Sequence, residues 1–182
     1  NNFKEIFSKN KKGKIIVTCF ASNIARLETI GYVADMYHRS CVLVGRSLKK
    51  IYESAKENNY LNSVSNFLSE EEGKTLPDEN TVLICTGSQG ENRAALYKLV
   101  NGNNPNFLLT SNDLIMFSSR EIPGNEKQIN NLKNQLVKNG CKYIDHKNAL
   151  IHVSGHPSKP ELKKMYNWVD PDILIPVHGE YQ

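Results

Sequence analysis

The sequence predicts an α/β fold, a mostly parallel sheet with helices on both faces. Three observations carry that expectation. Apolar, β-branched runs recur along the chain, and they are continuously apolar rather than alternating, as strands covered on both faces are. Each run ends in a turn of small or polar residues. A segment of helical character follows most of these turns, and strands separated by helices are parallel strands joined by crossovers.

The elements follow in order. "KIIVTCF" (14–20) reads as the first strand, "ASN" (21–23) as its turn and "IARLETIGYVADMYHR" (24–39) as a helix. "SCVLVG" (40–45) leads through "RS" to "LKKIYESAKENNY" (48–60). Residues 62–80 break the rhythm and are expected to form a connecting loop with a short helix. "NTVLICT" (80–86) leads through "GSQGE" to "NRAALYKLVNG" (92–102), and "NGNNPN" (101–106) is a turn. "DLIMFSS" (113–119) leads through "REIPGNE" to "KQINNLKNQLVKNG" (127–140). The endings "VNG" and "KNG" are helix stop signals. "ALIHVSG" (149–155) reads as a fifth strand, followed by "HPSK" and a helix from about Pro160. "DILIPV" (172–177) reads as a sixth strand, ending in "HGEY".

With 182 residues the chain can bury a sizeable core. A hydrophobic share of 39% and a charged share of 23% describe a soluble globular protein rather than a disordered one. No apolar run approaches the length needed to cross a bilayer, so no membrane partner is expected. The opening "NNFKEIFSKNKKGK" lacks the apolar centre of a signal peptide. With no initiator Met, the chain is expected to belong to a longer protein. The net charge of +4 is compatible with nucleic acid but also with a solvated surface. Lys9, Lys11, Lys12 and Lys14 form the densest basic run, read as a solvated turn. Cys19, Cys41, Cys85 and Cys141 are far apart, and no CxxC occurs. They read as reduced thiols in a cytoplasmic protein.

Ligands of open parallel sheets gather beyond the carboxyl ends of the strands, so the turns are where function is sought. "TGSQGE" (86–91) has glycines that let a backbone approach closely, and a helix follows, which suits an anion. It matches neither a P-loop nor GxGxxG. Taken alone, a tight structural turn accounts for it. In "CFASN", Ser22 or Asn23 is a natural helix cap, and the same groups can hydrogen-bond a phosphate or base. Arg120 in "SSREIPGNE" can pair with phosphate, although a turn explains most of that stretch. His152 and His156 in "HVSGH" have helical metal-ligand spacing, but Gly155 and Pro157 argue against a helix there. His156 falls past the expected strand end, where the N–H groups of Ser154, Gly155 and His156 can hold an anion. His178 sits past the next expected strand end. Pattern alone leaves structural and functional histidines evenly matched. His38 and His146 read as a solvated helix residue and a polar-turn residue. The chain offers an ion one ligand or two, not a complete site.

Taken together the turns resemble the ribonuclease J family, in the β-CASP branch of the metallo-β-lactamase superfamily. The matching stretches are "FASNIARL" (20–27), "VGRS" (44–47), "TGSQGE" (86–91), "FSSREIPGNE" (117–126), "HVSGH" (152–156) and "IPVHGEY" (175–181). They occur in the family's order across nearly the whole chain. One departure is "GENRAAL", where the family pattern has "GEPMAAL"; it alters the helix start after Glu91.

The resemblance implies a Rossmann-like β-CASP domain over residues 1–148. Residues 149–182 would then be a C-terminal return segment of the metallo-β-lactamase domain. It implies RNA as the partner, cut by metal-dependent phosphodiester hydrolysis in 5′-to-3′ exonucleolytic and endonucleolytic modes. The cofactors would be two ions, zinc or manganese, held mostly by an HxHxDH motif upstream; this chain contains no such motif. His178 matches a metal-binding histidine. His156 matches a catalytic histidine near the scissile phosphate, a proton donor or charge stabiliser. Ala21, Ser22 and Asn23, with His152, Val153, Ser154, Gly155 and His156, match the regions that hold RNA phosphate. A homodimer or tetramer is expected of the complete protein, and this chain by itself is expected to be inactive. The main rival is a non-catalytic α/β module that binds RNA or nucleotide phosphate. Two others are a β-CASP enzyme acting on DNA or messenger-RNA precursors, and a dinucleotide-binding oxidoreductase. "CFASN" lacks the glycine fingerprint the last would need.

Overall fold

The computed structural model describes residues 2–153 and 157–175. They fall into two compact units, Asn1–His152 and Val153–Gln182. The first contains a five-stranded, all-parallel sheet in the order β2-β3-β1-β4-β5. Its strands are β1 (Ile15–Thr18), β2 (Ser40–Val44), β3 (Thr81–Cys85), β4 (Leu114–Phe117) and β5 (Lys142–Ile144). Its helices are α1 (Asn2–Lys9), α2 (Ile24–Met36), α3 (Arg46–Glu57), α4 (Glu70–Gly73), α5 (Ala95–Val100) and α6 (Glu126–Lys138). A 3-10 turn at Asp78–Asn80 leads into β3.

Register explains the unbroken apolar runs. Ile15, Cys41, Val82 and Leu114 are aligned across the sheet and face one core, with α1, α2 and α3. Their neighbours Ile16, Val42, Leu83 and Ile115 face the other core, with α5 and α6. Both faces are covered, so each strand needs apolar side chains at every position. Full burial of an Ile or Leu side chain contributes roughly 1.5–3 kcal/mol.

The crossovers explain the irregular stretch at 62–80. From β1 the chain passes through α2 to β2, moving towards one edge on the first face. Through α3 it continues outward on that face to Leu68, which bridges β2 from outside; Leu43 N–H donates to Leu68 O, and Leu68 N–H to Cys41 O. It then turns onto the second face at α4, where Gly73 lies against Val42. β3, α5, β4, α6 and β5 step the other way on that second face. Steps in opposite directions use opposite faces, as a single crossover handedness requires.

The opposite end of the sheet is held by buried charge. Asp113 accepts from the Lys14 N–H (2.7 Å) and lies 3.2 Å from the Lys14 ammonium, which also meets Asp78 at 2.9 Å. Arg39 donates to Gly13 O (3.0 Å), Thr81 O (3.3 Å) and Asn10 O. The expected solvated lysine turn is therefore corrected. Lys9 ends α1 and pairs with Glu5, Lys11 and Lys12 are exposed, and Lys14 is buried in an ion pair.

Other expectations are revised. α1 was not expected, yet Phe3, Ile6 and Phe7 form one buried stripe at helical spacing. β5 was not expected either; its three residues, with Lys142 exposed, give little apolar signal. α5 begins at Ala95 rather than Asn92. Ala149–Val153 forms no strand; Ile151 is buried in the first core and its carbonyl accepts from the Ser118 hydroxyl at 2.6 Å, a side-chain partner in place of a ladder. Residues 172–175 form no strand either. A β-branched run becomes a strand only with a neighbour to take its N–H and C=O groups. The one regular element described in the second unit is a helix, α7 (Lys159–Val169). It starts where expected. The Glu161 carboxylate accepts from the Ser158 N–H (2.7 Å) and hydroxyl (2.8 Å), and Pro160 occupies the first turn.

Candidate phosphate-binding face

The carboxyl ends of β1 and β4 bring a polar group together in the first unit. After β1, Asn23 caps α2 by accepting from the Arg26 N–H at 3.0 Å, so the capping role read from "ASN" is present. Ala21 is half-buried and Ser22 exposed in the same turn. Arg26, in the first turn of α2, lies over the Phe3 ring at 5.5 Å, and its Nε is buried with no hydrogen-bond partner among the described residues. After β4, Ser118 and Ser119 are buried and Arg120 is exposed.

His152 is half-buried against this group, and its Nδ1 has no hydrogen-bond partner among the described residues. Its proton affinity lies below that of an ordinary histidine. Burial is the largest cause; the positive charges of Arg26, His146 and Arg120 add to it, while the Ser118 backbone opposes it. Arg26 and His146 are thus close enough to act on His152, and the sequence reading singled out neither. His146 looked like a polar-turn residue, but its Nδ1 is also buried without a partner among the described residues. Cys19, at the end of β1, is no nucleophile, because burial pushes its thiol up to about 12, against a smaller opposing pull from Arg26.

The "TGSQGE" turn is tight, as expected. Gly90 N–H donates to Gly87 O at 3.1 Å and both glycines have positive φ. Gln89 was also missed. Its buried amide donates to Arg120 O (3.0 Å) and accepts from the Ile122 N–H (2.9 Å), tying the turn after β3 to the turn after β4. A glutamine between two glycines gave no sign of that span of 31 residues to Arg120.

Of the residues expected to hold phosphate, Ala21, Ser22, Asn23 and His152 belong to the first unit. Val153 lies in no helix or strand of the second. Ser154, Gly155, His156 and the expected metal ligand His178 lie outside the described residues. Among the described residues no group of three or more His, Cys, Asp or Glu side chains can hold a metal ion. They do not by themselves fit a metal centre.

Fold and site together define a doubly wound α/β module with a cationic, incompletely hydrogen-bonded group at its strand ends. Such a surface suits an anionic ligand. Residues 12–136 match the family model described as ribonuclease J, β-CASP domain, and residues 146–182 match the Zn-dependent metallo-hydrolase RNA specificity domain. The chain belongs to the ribonuclease J β-CASP family. It is 44% identical over 169 residues to ribonuclease J of Sinorhizobium meliloti, covering 93% of this chain and 30% of that relative. Identity to ribonuclease J of Mycoplasma pneumoniae is 38% over 96% of this chain and 31% of the relative. For Synechocystis it is 34% over 100% and 28%. The chain thus spans under a third of the length of these curated relatives.

Proposed function

We propose that the chain is the RNA-holding part of a metal-dependent ribonuclease that hydrolyses phosphodiesters, as exonuclease from the 5′ end and as endonuclease. The observation that carries the reading is the polar group of Arg26, His146 and His152 at the strand ends of the first unit, each with a buried nitrogen that has no hydrogen-bond partner among the described residues. Ala21, Ser22 and Asn23 present a hydroxyl, an amide and a helix start beside it, groups that fix a phosphate without reading a base. His152 to His156 complete the hold. His156 supplies a proton or positive charge to the leaving oxygen, and His178 contributes to a two-ion zinc or manganese centre whose other ligands lie outside the described residues. The bound metal would neutralise phosphoryl oxygens and activate water. The β-CASP domain spans 1–148 and the return segment 149–182. Four buried free cysteines accord with a reducing compartment such as the cytoplasm, and the complete protein would be a homodimer or tetramer. On its own the chain binds RNA without cutting it.

The test uses labelled RNA and the complete protein. His178→Ala is expected to lower bound metal and cleavage together. His156→Ala should leave metal content unchanged and slow turnover by about 100-fold, within the range of general acid catalysis. Normal turnover in the second variant sinks the proton-donor role. No RNA cleavage by the unmodified protein with zinc or manganese sinks the reading as a whole.

A further inference from the structure

A second cleft opens in the first unit, where the turns after β2 and β3 face the loop 103–106. Its volume is about 630 Å³, within the range that takes a nucleotide-sized ligand. Four cationic side chains line it, Arg46, Lys50, Arg93 and Lys98, and among the described residues none of them is ion-paired. The one acid on the wall, Glu70, is already occupied. Its two oxygens accept from the Gly45 N–H (3.1 Å) and the Asn104 amide (3.0 Å). The lining therefore carries four positive charges against one negative. The 12-residue helix α3 starts at this wall without a side-chain cap, adding the positive end of its dipole. Gly45, with φ at +107°, lets the chain enter α3 there.

Like charges gathered on a concave wall repel one another unless an anion joins them, and a concave wall strengthens their field. Arginine forks and ammonium groups match phosphate oxygens through charge-assisted hydrogen bonds. We infer that this cleft is a second phosphate site, distinct from the His152 group, that takes the phosphate of a nucleotide, either free or within single-stranded RNA. It deepens the reading above by giving RNA a second hold. It rests on the cleft alone, so its test involves no cleavage.

The 182-residue chain would be titrated with inorganic phosphate, AMP and a short oligouridylate while amide resonances are followed. Saturable shifts at Arg46 and Ser47 are expected. Arg46→Gln with Arg93→Gln should weaken binding tenfold or more, roughly one charge-assisted contact or better. Both side chains are exposed, so an unchanged unfolding midpoint confirms the fold is intact. A His152→Gln control should leave these shifts in place. Binding of oligouridylate alone assigns the site to the RNA backbone; binding of AMP and phosphate as well assigns it to free nucleotides too. No shift with any probe, or equal binding by the double variant, overturns the site.

Discussion

His152 ties the fold to the proposed function because its environment is unfinished. Its ring is half-buried, one nitrogen has no partner among the described residues, and cationic groups stand around it. Burial first, then Arg26, His146 and Arg120, hold it neutral to lower pH than an ordinary histidine. The unfolded chain, with an ordinary histidine near 6.5, therefore takes the proton first as pH falls. His152 thus favours the fold above that pH and opposes it progressively below. Subtracting the pH profile of a His152→Gln variant isolates this share from that of Asp145 and Glu121, whose lowered proton affinities also weaken the fold in acid. An anion bound beside the ring reverses the local charge. Added oligouridylate should raise the His152 midpoint, read by imidazole resonances, and bind more tightly at pH 6 than at 7.5. A midpoint that RNA leaves unmoved removes His152 from the phosphate-holding set.

The turns work as pairs, and Gln89 is the link between two of them. Gln89→Ala would strip Arg120 O and the Ile122 N–H of their partner, costing about 1–3 kcal/mol in urea unfolding. Gln89→Glu should be no milder, because a carboxylate cannot donate to Arg120 O. Stability equal to the unmodified chain in either variant means that the link contributes nothing. The four longer strands, β1 to β4, were legible because burial on both faces demands an unbroken apolar run, as in "KIIVTCF" and "NTVLICT". β5 was hidden because an edge strand of three residues needs no such run. α1 carried a readable stripe, Phe3, Ile6 and Phe7, masked by the lysines that follow it. At the site, Asn23 was legible because capping is local. Arg26, Gln89 and His146 act across strands far apart in the sequence, and single-sequence spacing holds no record of such neighbours. "ALIHV" misled for a related reason. Its Ile151 is buried as a strand residue would be, but its carbonyl is satisfied by Ser118 rather than by a ladder.

That detail bears on how the molecule divides. The second family match begins at residue 146, whereas the first compact unit continues through His152. Sequence membership and packing therefore part company over seven residues, 146–152. Within them Ile151 is 1% exposed and packs in the core of α1, α2 and α3. Removing a buried aliphatic side chain costs roughly 2–5 kcal/mol. The Ser118 hydroxyl, itself buried, would lose its acceptor as well, at about 1 kcal/mol. A chain ending at His152 should thus unfold in one cooperative transition. A chain ending at Asn148 should melt roughly 6–24 °C lower, since together these costs come to about 3–6 kcal/mol and 1 kcal/mol moves a unit of this size by about 2–4 °C. Calorimetry on the two chains decides the point. Equal midpoints would mean that residues 149–152 add nothing to the first unit, and that Ser118 finds another acceptor or water. A lower midpoint for the shorter chain gives a physical reason for His152 to be presented by the first compact unit, because the segment that carries it is anchored there by Ile151.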